Sequence, residues 1–142
     1  MEAIRIQRGV PGLGPRFHRT RVLLVDEDTR DRDHYRRLLQ DNGFEVKVCG
    51  DFAEGANLLA TMKFDCVVVS QGGPDFEGRL VLERSVATNR YRPVVILSRY
   101  HDVGCYVEAM QLGAVDYLEK PLSALEIVRA ITTHVQPEHA AA

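Results

Sequence analysis

The stretch FDCVVVSQGGPDFEG, residues 64–78, decides the fold. Cys66 to Val69 is apolar throughout, which suits a strand buried on both faces of a sheet. Polarity begins abruptly at Ser70, and Gln71, Gly72, Gly73 and Pro74 make a turn-rich loop. After Gly78, residues Leu80, Val81, Leu82 and Val86 return at helical spacing. A buried strand, a loop and a helix in that order make half of a parallel crossover unit.

The same alternation extends in both directions. Val22 to Val25 is a short apolar strand, and Tyr35, Leu38 and Leu39 mark the helix after it, ended by Asn42-Gly43. Phe44 to Cys49 is a second strand. Asp51 with Glu54 opens a helix carrying Ala53, Ala56, Leu59 and Ala60. Beyond the opening stretch, Pro93 to Leu97 is a fourth strand. Asp102 caps a helix holding Val103, Val107, Met110 and Leu112, which stops at Gly113. Val115 to Leu118 is a fifth strand. Ser123 and Glu126 form a capping box ahead of Leu125, Val128, Ile131 and Val135. The pattern is (βα)₅. It predicts an α/β fold: a three-layer, doubly wound sandwich whose parallel five-stranded sheet has the order 2-1-3-4-5.

Residues 21–135 hold this domain. Residues 1–20 read as a basic tail with Arg5, Arg8, Arg16 and Arg19, and residues 136–142 as a second short tail. Neither tail offers a P-loop, since no Gly-Lys-Ser/Thr follows the N-terminal glycines. A net charge of −2 gives no field that calls for nucleic acid, and no reading motif occurs. No apolar run approaches the roughly 20 residues of a membrane span, and the N-terminus lacks the features of a secretory signal. The expected location is the cytoplasm. Cys49, Cys66 and Cys105 are an odd, scattered set, neither a disulfide framework nor a zinc site. Redox sensing by Cys105 is a minor alternative to simple packing.

In an open parallel sheet, ligands gather beyond the carboxyl ends of the strands near the point where strand order reverses. The polar residues that collect there are Asp26, Glu27 and Asp28 after the first strand, Ser70 after the third, Ser98 and Arg99 after the fourth, and Lys120-Pro121 after the fifth. Each acid alone can be a helix cap. Together, a carboxylate cluster, hydroxyls and a lysine from four strands suggest one site for a hard cation or an anionic group.

These segments, VLLVDED, FDCVVVSQGGPDFEG, PVVILS and GAVDYLEKP, resemble the receiver domain of two-component response regulators over residues 21 to about 135. The resemblance implies a CheY-like, flavodoxin-like fold and a non-enzymatic signalling role. It implies that Asp26 and Glu27 are the acidic pair that organises Mg²⁺, with the carbonyl of Gly72 as a further ligand. It implies that Ser98 is the hydroxyl that bonds a phosphoryl group, Tyr117 the aromatic switch and Lys120 the lysine before proline. Pro74 and Gly78 match the loop after the third strand.

The position of the family's phosphorylated aspartate falls on Ser70. A serine there brings no carboxylate to a metal and has no neighbouring histidine to activate it, so Mg²⁺ binding is expected to be weak or absent. Arg99 stands where the family has a small residue, and is expected to crowd the pocket or pair with the acids. Gly73 replaces a usual methionine, which predicts a mobile Gln71-Gly72-Gly73 loop. Lys120 is expected to form an internal cluster with Asp26 and Glu27. Asp75 and Asp65 are weaker alternative acceptors.

The resemblance further implies a partner-binding face on the fourth helix, fifth strand and fifth helix, with Tyr106, Met110, Tyr117, Glu119 and Arg129. The expectation is an atypical receiver that docks a protein partner or homodimerises without aspartate phosphorylation and without a cofactor. The alternatives are a Mg²⁺-dependent receiver that uses another acceptor, or the receiver portion of a transcriptional regulator. Small-molecule sensing in the strand-end pocket is a further, weaker reading.

Overall fold

The computed structural model describes residues 19–135. The two tails read from the sequence lie mainly outside this range. Five strands alternate with five helices: β1 (Arg21–Val25), α1 (Thr29–Asp41), β2 (Glu45–Cys49), α2 (Phe52–Thr61), β3 (Cys66–Ser70), α3 (Arg79–Thr88), β4 (Val94–Ser98), α4 (Val103–Leu112), β5 (Asp116–Glu119) and α5 (Ala124–His134). All strand pairs are parallel, in the order β2-β1-β3-β4-β5. This is the doubly wound topology expected from the alternation.

The sheet separates two apolar layers. On one face Leu23, Val25, Val67, Val69, Val94 and Ile96 pack against α2, α3 and α4. On the other, Val22, Leu24, Val68, Val95 and Leu97 pack against α1 and α5. The three central strands are buried at nearly every residue, which explains their continuous apolar runs. β2 and β5 lie at the edges and are only partly buried.

The helix starts follow the sequence closely. Asp51 accepts from the Glu54 N–H, Asp102 from the Cys105 N–H, and Ser123 with Glu126 completes a capping box. Two helices differ in which residues face inward. On α4 the small Cys105 and Ala109 are buried, while Val103, Tyr106, Val107 and Met110 are exposed. On α5 the buried residues are Ile127, Ala130 and Ile131, and Leu125 is exposed. Helical spacing alone does not say which of two apolar stripes meets the sheet. Among the described residues, no helix is long and apolar enough to cross a membrane.

Candidate functional site

The carboxyl ends of β1, β3, β4 and β5 converge as the topology requires. Asp26 follows β1 directly and is wholly buried. Its Oδ1 accepts the Asp28 N–H at 2.9 Å, and its Oδ2 accepts Lys120 Nζ at 2.9 Å. Lys120 Nζ also donates to Asp31 Oδ2 at 2.8 Å. Asp31 in turn accepts Arg99 Nη2 at 2.6 Å, and Arg99 reaches Asp28 at 2.7 Å. Three carboxylates thus alternate with two cations in one chain: Asp26, Lys120, Asp31, Arg99, Asp28. A third cation, Arg32, donates to the Asp26 carbonyl oxygen at 2.9 Å.

Proton affinities follow from this arrangement. Burial pushes the Asp26 carboxyl above its ordinary value, although Lys120 pulls it down. Burial works against the Lys120 ammonium, but the hydrogen bonds to Asp31 and Asp26 outweigh it, and its pKa is raised. Both members of the Asp26–Lys120 pair therefore move upward. We take the pair as charged, because the geometry is good and a second acid shares the lysine. Asp28 is held below its ordinary value, first by the Asp31 N–H it caps and then by Arg99. That cap is the plain structural role for a strand-end acid.

Two expectations change here, and one holds. The lysine cluster forms, but its second acid is Asp31, from the first turn of α1, and not Glu27. Glu27 is exposed. Arg99 does pair with the acids, as expected. The Gln71-Gly72-Gly73 loop, expected to be mobile, is tied down instead. The Gly72 N–H donates to Ser70 Oγ at 3.2 Å, the Gly73 N–H to Glu77 Oε1 at 2.6 Å, and Gln71 Nε2 to the Gly73 carbonyl at 3.0 Å. Gly72 has φ +87°, where a β-carbon is strained and would also meet Glu77.

The residues do not fit a bound Mg²⁺. Both Asp26 oxygens are already engaged, Ser70 offers a hydroxyl in place of a carboxylate, and the nearby acids are balanced by Lys120 and Arg99. A divalent ion would have to displace cations already bound. Among the described residues, no group of three or more His, Cys, Asp or Glu is placed to hold a metal. Asp75 is exposed in the loop after Pro74, and Asp65 accepts the Arg21 N–H at the far end of the sheet.

Next to the charged chain lies an aromatic site. Ser70 and Ser98 are buried at the ends of β3 and β4. Ser98 Oγ donates to Gln71 Oε1 at 2.9 Å or to the Tyr100 carbonyl at 2.8 Å, and accepts the Tyr100 N–H at 3.0 Å. The Tyr117 hydroxyl donates to the same Gln71 oxygen. Tyr117 is half-buried, and its ring meets Tyr106 edge to face, with centroids 5.7 Å apart. Tyr106 is 46% exposed, so it serves both as a ring partner and as a surface residue. Between them and the β4–α4 loop opens a groove of about 410 Å³, lined by the tyrosines, Val103, Asp102 and Glu119 among others.

The response regulator receiver domain family matches residues 22–132. The chain belongs to this family. It is 33% identical over 121 residues to the transcriptional regulatory protein FixJ of Bradyrhizobium diazoefficiens, covering 85% of this chain and 59% of that protein. It is 32% identical over 124 residues to the response regulator MprA of Mycobacterium bovis, covering 85% of this chain and 54% of that protein. The chain thus spans little more than half the length of these relatives. Among solved structures, full-length FixJ from B. japonicum has a TM-score of 0.73 at 32% identity, covering 83% of this chain and 58% of that one. A CheY-like receiver domain from Methanospirillum hungatei has a TM-score of 0.76 at 24% identity, covering 82% of this chain and 93% of that one, a likeness of fold. This receiver domain is therefore a signalling domain of the two-component class.

Sequence reading missed Asp31, Gln71 and Glu77. Asp31 sits in the run Arg30-Asp31-Arg32-Asp33, which reads as a solvated helix face. Gln71 and Glu77 sit in a loop, where no period says that Gln71 turns inward or that Glu77 folds back onto the Gly73 N–H.

Proposed function

We propose that this chain is an atypical receiver that signals by docking a protein partner or a second copy, without accepting phosphate at residue 70. The observation that carries this reading is the neutralised pocket. Ser70 supplies no carboxylate, its hydroxyl is engaged by the Gly72 N–H, and Lys120 and Arg99 occupy the acids that would otherwise face a cation. Among the described residues, Ser70 Oγ has no activating base as a hydrogen-bond partner.

The surface proposed for docking is the outward side of α4 with β5 and α5. Val103, Tyr106, Val107 and Met110 recur there at i, i+3, i+4 and i+7, all exposed, beside Tyr117 and Glu119, with Arg129 exposed on α5. The name of FixJ, a transcriptional regulatory protein, supports a place in the control of transcription, and the greater length of FixJ and MprA suits an output domain beside the receiver. Three buried free cysteines suit a reducing compartment such as the cytoplasm.

The test is direct. The protein is incubated with acetyl phosphate and Mg²⁺, and its intact mass is measured. The unmodified mass is expected. A stoichiometric phosphate adduct would sink the proposal, and peptide mapping would then identify the acceptor.

A further inference from the structure

Gln71 is wholly buried, although it immediately follows the last residue of β3 and precedes two partly exposed glycines. Its backbone is fastened on both sides: its N–H donates to the Leu97 carbonyl at 2.7 Å, and its carbonyl accepts the Gly78 N–H at 2.9 Å. Its side chain therefore has a fixed starting point. Nε2 donates to the Gly73 carbonyl at 3.0 Å, and this bond settles which end of the amide is oxygen. Turned over, Oε1 would face another carbonyl oxygen. The oxygen thus accepts the Tyr117 hydroxyl and lies 2.9 Å from Ser98 Oγ, whose proton it shares with the Tyr100 carbonyl. An amide oxygen has two lone pairs, so it can serve both hydroxyls at once. The β3–α3 loop, β4 and β5 meet on a single atom.

We propose that Gln71 is the positioning residue of the α4–β5 surface, holding the Tyr117 ring inward with no modification at Ser70. This deepens the docking proposal above and rests on it. A half-buried phenol that keeps an acceptor stays in place; one that loses its acceptor gains by turning toward water. With Tyr117 held, Tyr106 keeps its edge-to-face partner and the groove beside Val103 keeps one shape. Burial raises the Tyr117 pKa, so at neutral pH the hydroxyl remains a donor to this oxygen. The charged chain at Lys120 anchors the other end of the same strand, since the Lys120 N–H donates to the Ser98 carbonyl at 2.7 Å.

The test uses the full chain with isotopically labelled tyrosine and proton NMR. In the unmodified protein, nuclear Overhauser contacts are expected between the Tyr117 ring and both the Gln71 side-chain amide and Ser98. In Gln71→Leu, which keeps the volume but removes the acceptor, the Tyr117–Ser98 contacts and the Tyr106–Tyr117 ring contacts are expected to vanish. The rest of the spectrum stays dispersed. Retention of those ring contacts in Gln71→Leu would overturn the proposal. Should Gln71→Leu fail to fold, Tyr117→Phe replaces it. The Gln71 side-chain amide signals are then expected to shift on loss of the phenol hydrogen bond, and unchanged signals would overturn the proposal. The two failures are separable. A phosphate adduct in the mass measurement defeats the docking proposal with the ring contacts untouched, whereas persistent ring contacts without an adduct defeat the role of Gln71 alone.

Discussion

At the scale of single residues, the pair Asp26 and Lys120 carries the largest electrostatic stake. Asp26 is fully buried and the lysine side chain is only 6% exposed, so neither is solvated once its partner is gone. Lys120→Met is expected to lower stability by about 3–5 kcal/mol at neutral pH, read from urea unfolding. The sign of its pH dependence follows from burial, which already raises the Asp26 pKa in the folded state. Without the lysine that pKa rises further. An acid with a raised folded pKa destabilises the fold above that pKa and ceases to do so as pH falls through it. The gap between Lys120→Met and the unmodified protein should therefore narrow as pH is lowered from about 7.5 toward about 5. A gap that widens on acidification would contradict a charged, lysine-dependent Asp26. The surface pair Arg37–Asp33 is well exposed, so solvent screening leaves it little weight in stability.

At the scale of elements, the ends of helices separate two kinds of constraint. α5 begins with a full capping box, in which Ser123 Oγ accepts the Glu126 N–H at 3.1 Å and Glu126 accepts the Ser123 N–H at 2.8 Å. Ser123→Ala should cost about 1 kcal/mol, the ordinary value of such a cap. α3 has no side-chain cap, and Gly78 stands at its start. A β-carbon at Gly78 would run into the backbone carbonyl of Ser70, which has no freedom to retreat because it ends a central strand. Gly78→Ala should cost about 2–3 kcal/mol, more than the loss of the α5 cap. Thermal or urea unfolding of the two variants side by side checks the order. Equal losses would mean that the loop yields easily, and the hydrogen bonds drawn around Gly72 and Gly73 would then be weaker than their geometry implies.

At the scale of the whole molecule, burial controls chemistry that the composition leaves open. All three cysteines are free and buried. Burial raises the Cys49 thiol pKa, pushes Cys66 up to about 12 and, with Asp102 beside it, pushes Cys105 up to about 11. The thiolate is the reactive form, so Cys105 should alkylate at least about a hundredfold more slowly in the native protein than in urea. Iodoacetamide labelling followed by peptide mass analysis at about pH 8 measures this. Rapid native labelling of Cys105 would restore the redox-sensing alternative.

The topology was legible because it rests on local signals. Valine and leucine runs of four or five residues, too short for helices and bounded by turn residues, suit strands covered on both sides, and Asp51, Asp102 and Ser123 cap their helices through contacts three residues away. Asp26, Ser70, Ser98 and Lys120 were legible for the same reason: each stands where a buried strand ends, and the crossover rule brings those ends together. The sequence by itself determined the strands, the helix starts, the strand order and the absence of a carboxylate at residue 70. Only the tertiary structure decided that Asp31, not Glu27, shares Lys120, that Arg99 closes the charged chain, and that Gln71 turns inward to Ser98 and Tyr117. These partners lie 27 to 89 positions apart in the chain. Which of several nearby acids or amides faces inward depends on how a helix is rotated against the sheet and how a loop is clasped, and neither leaves a periodic mark in the sequence.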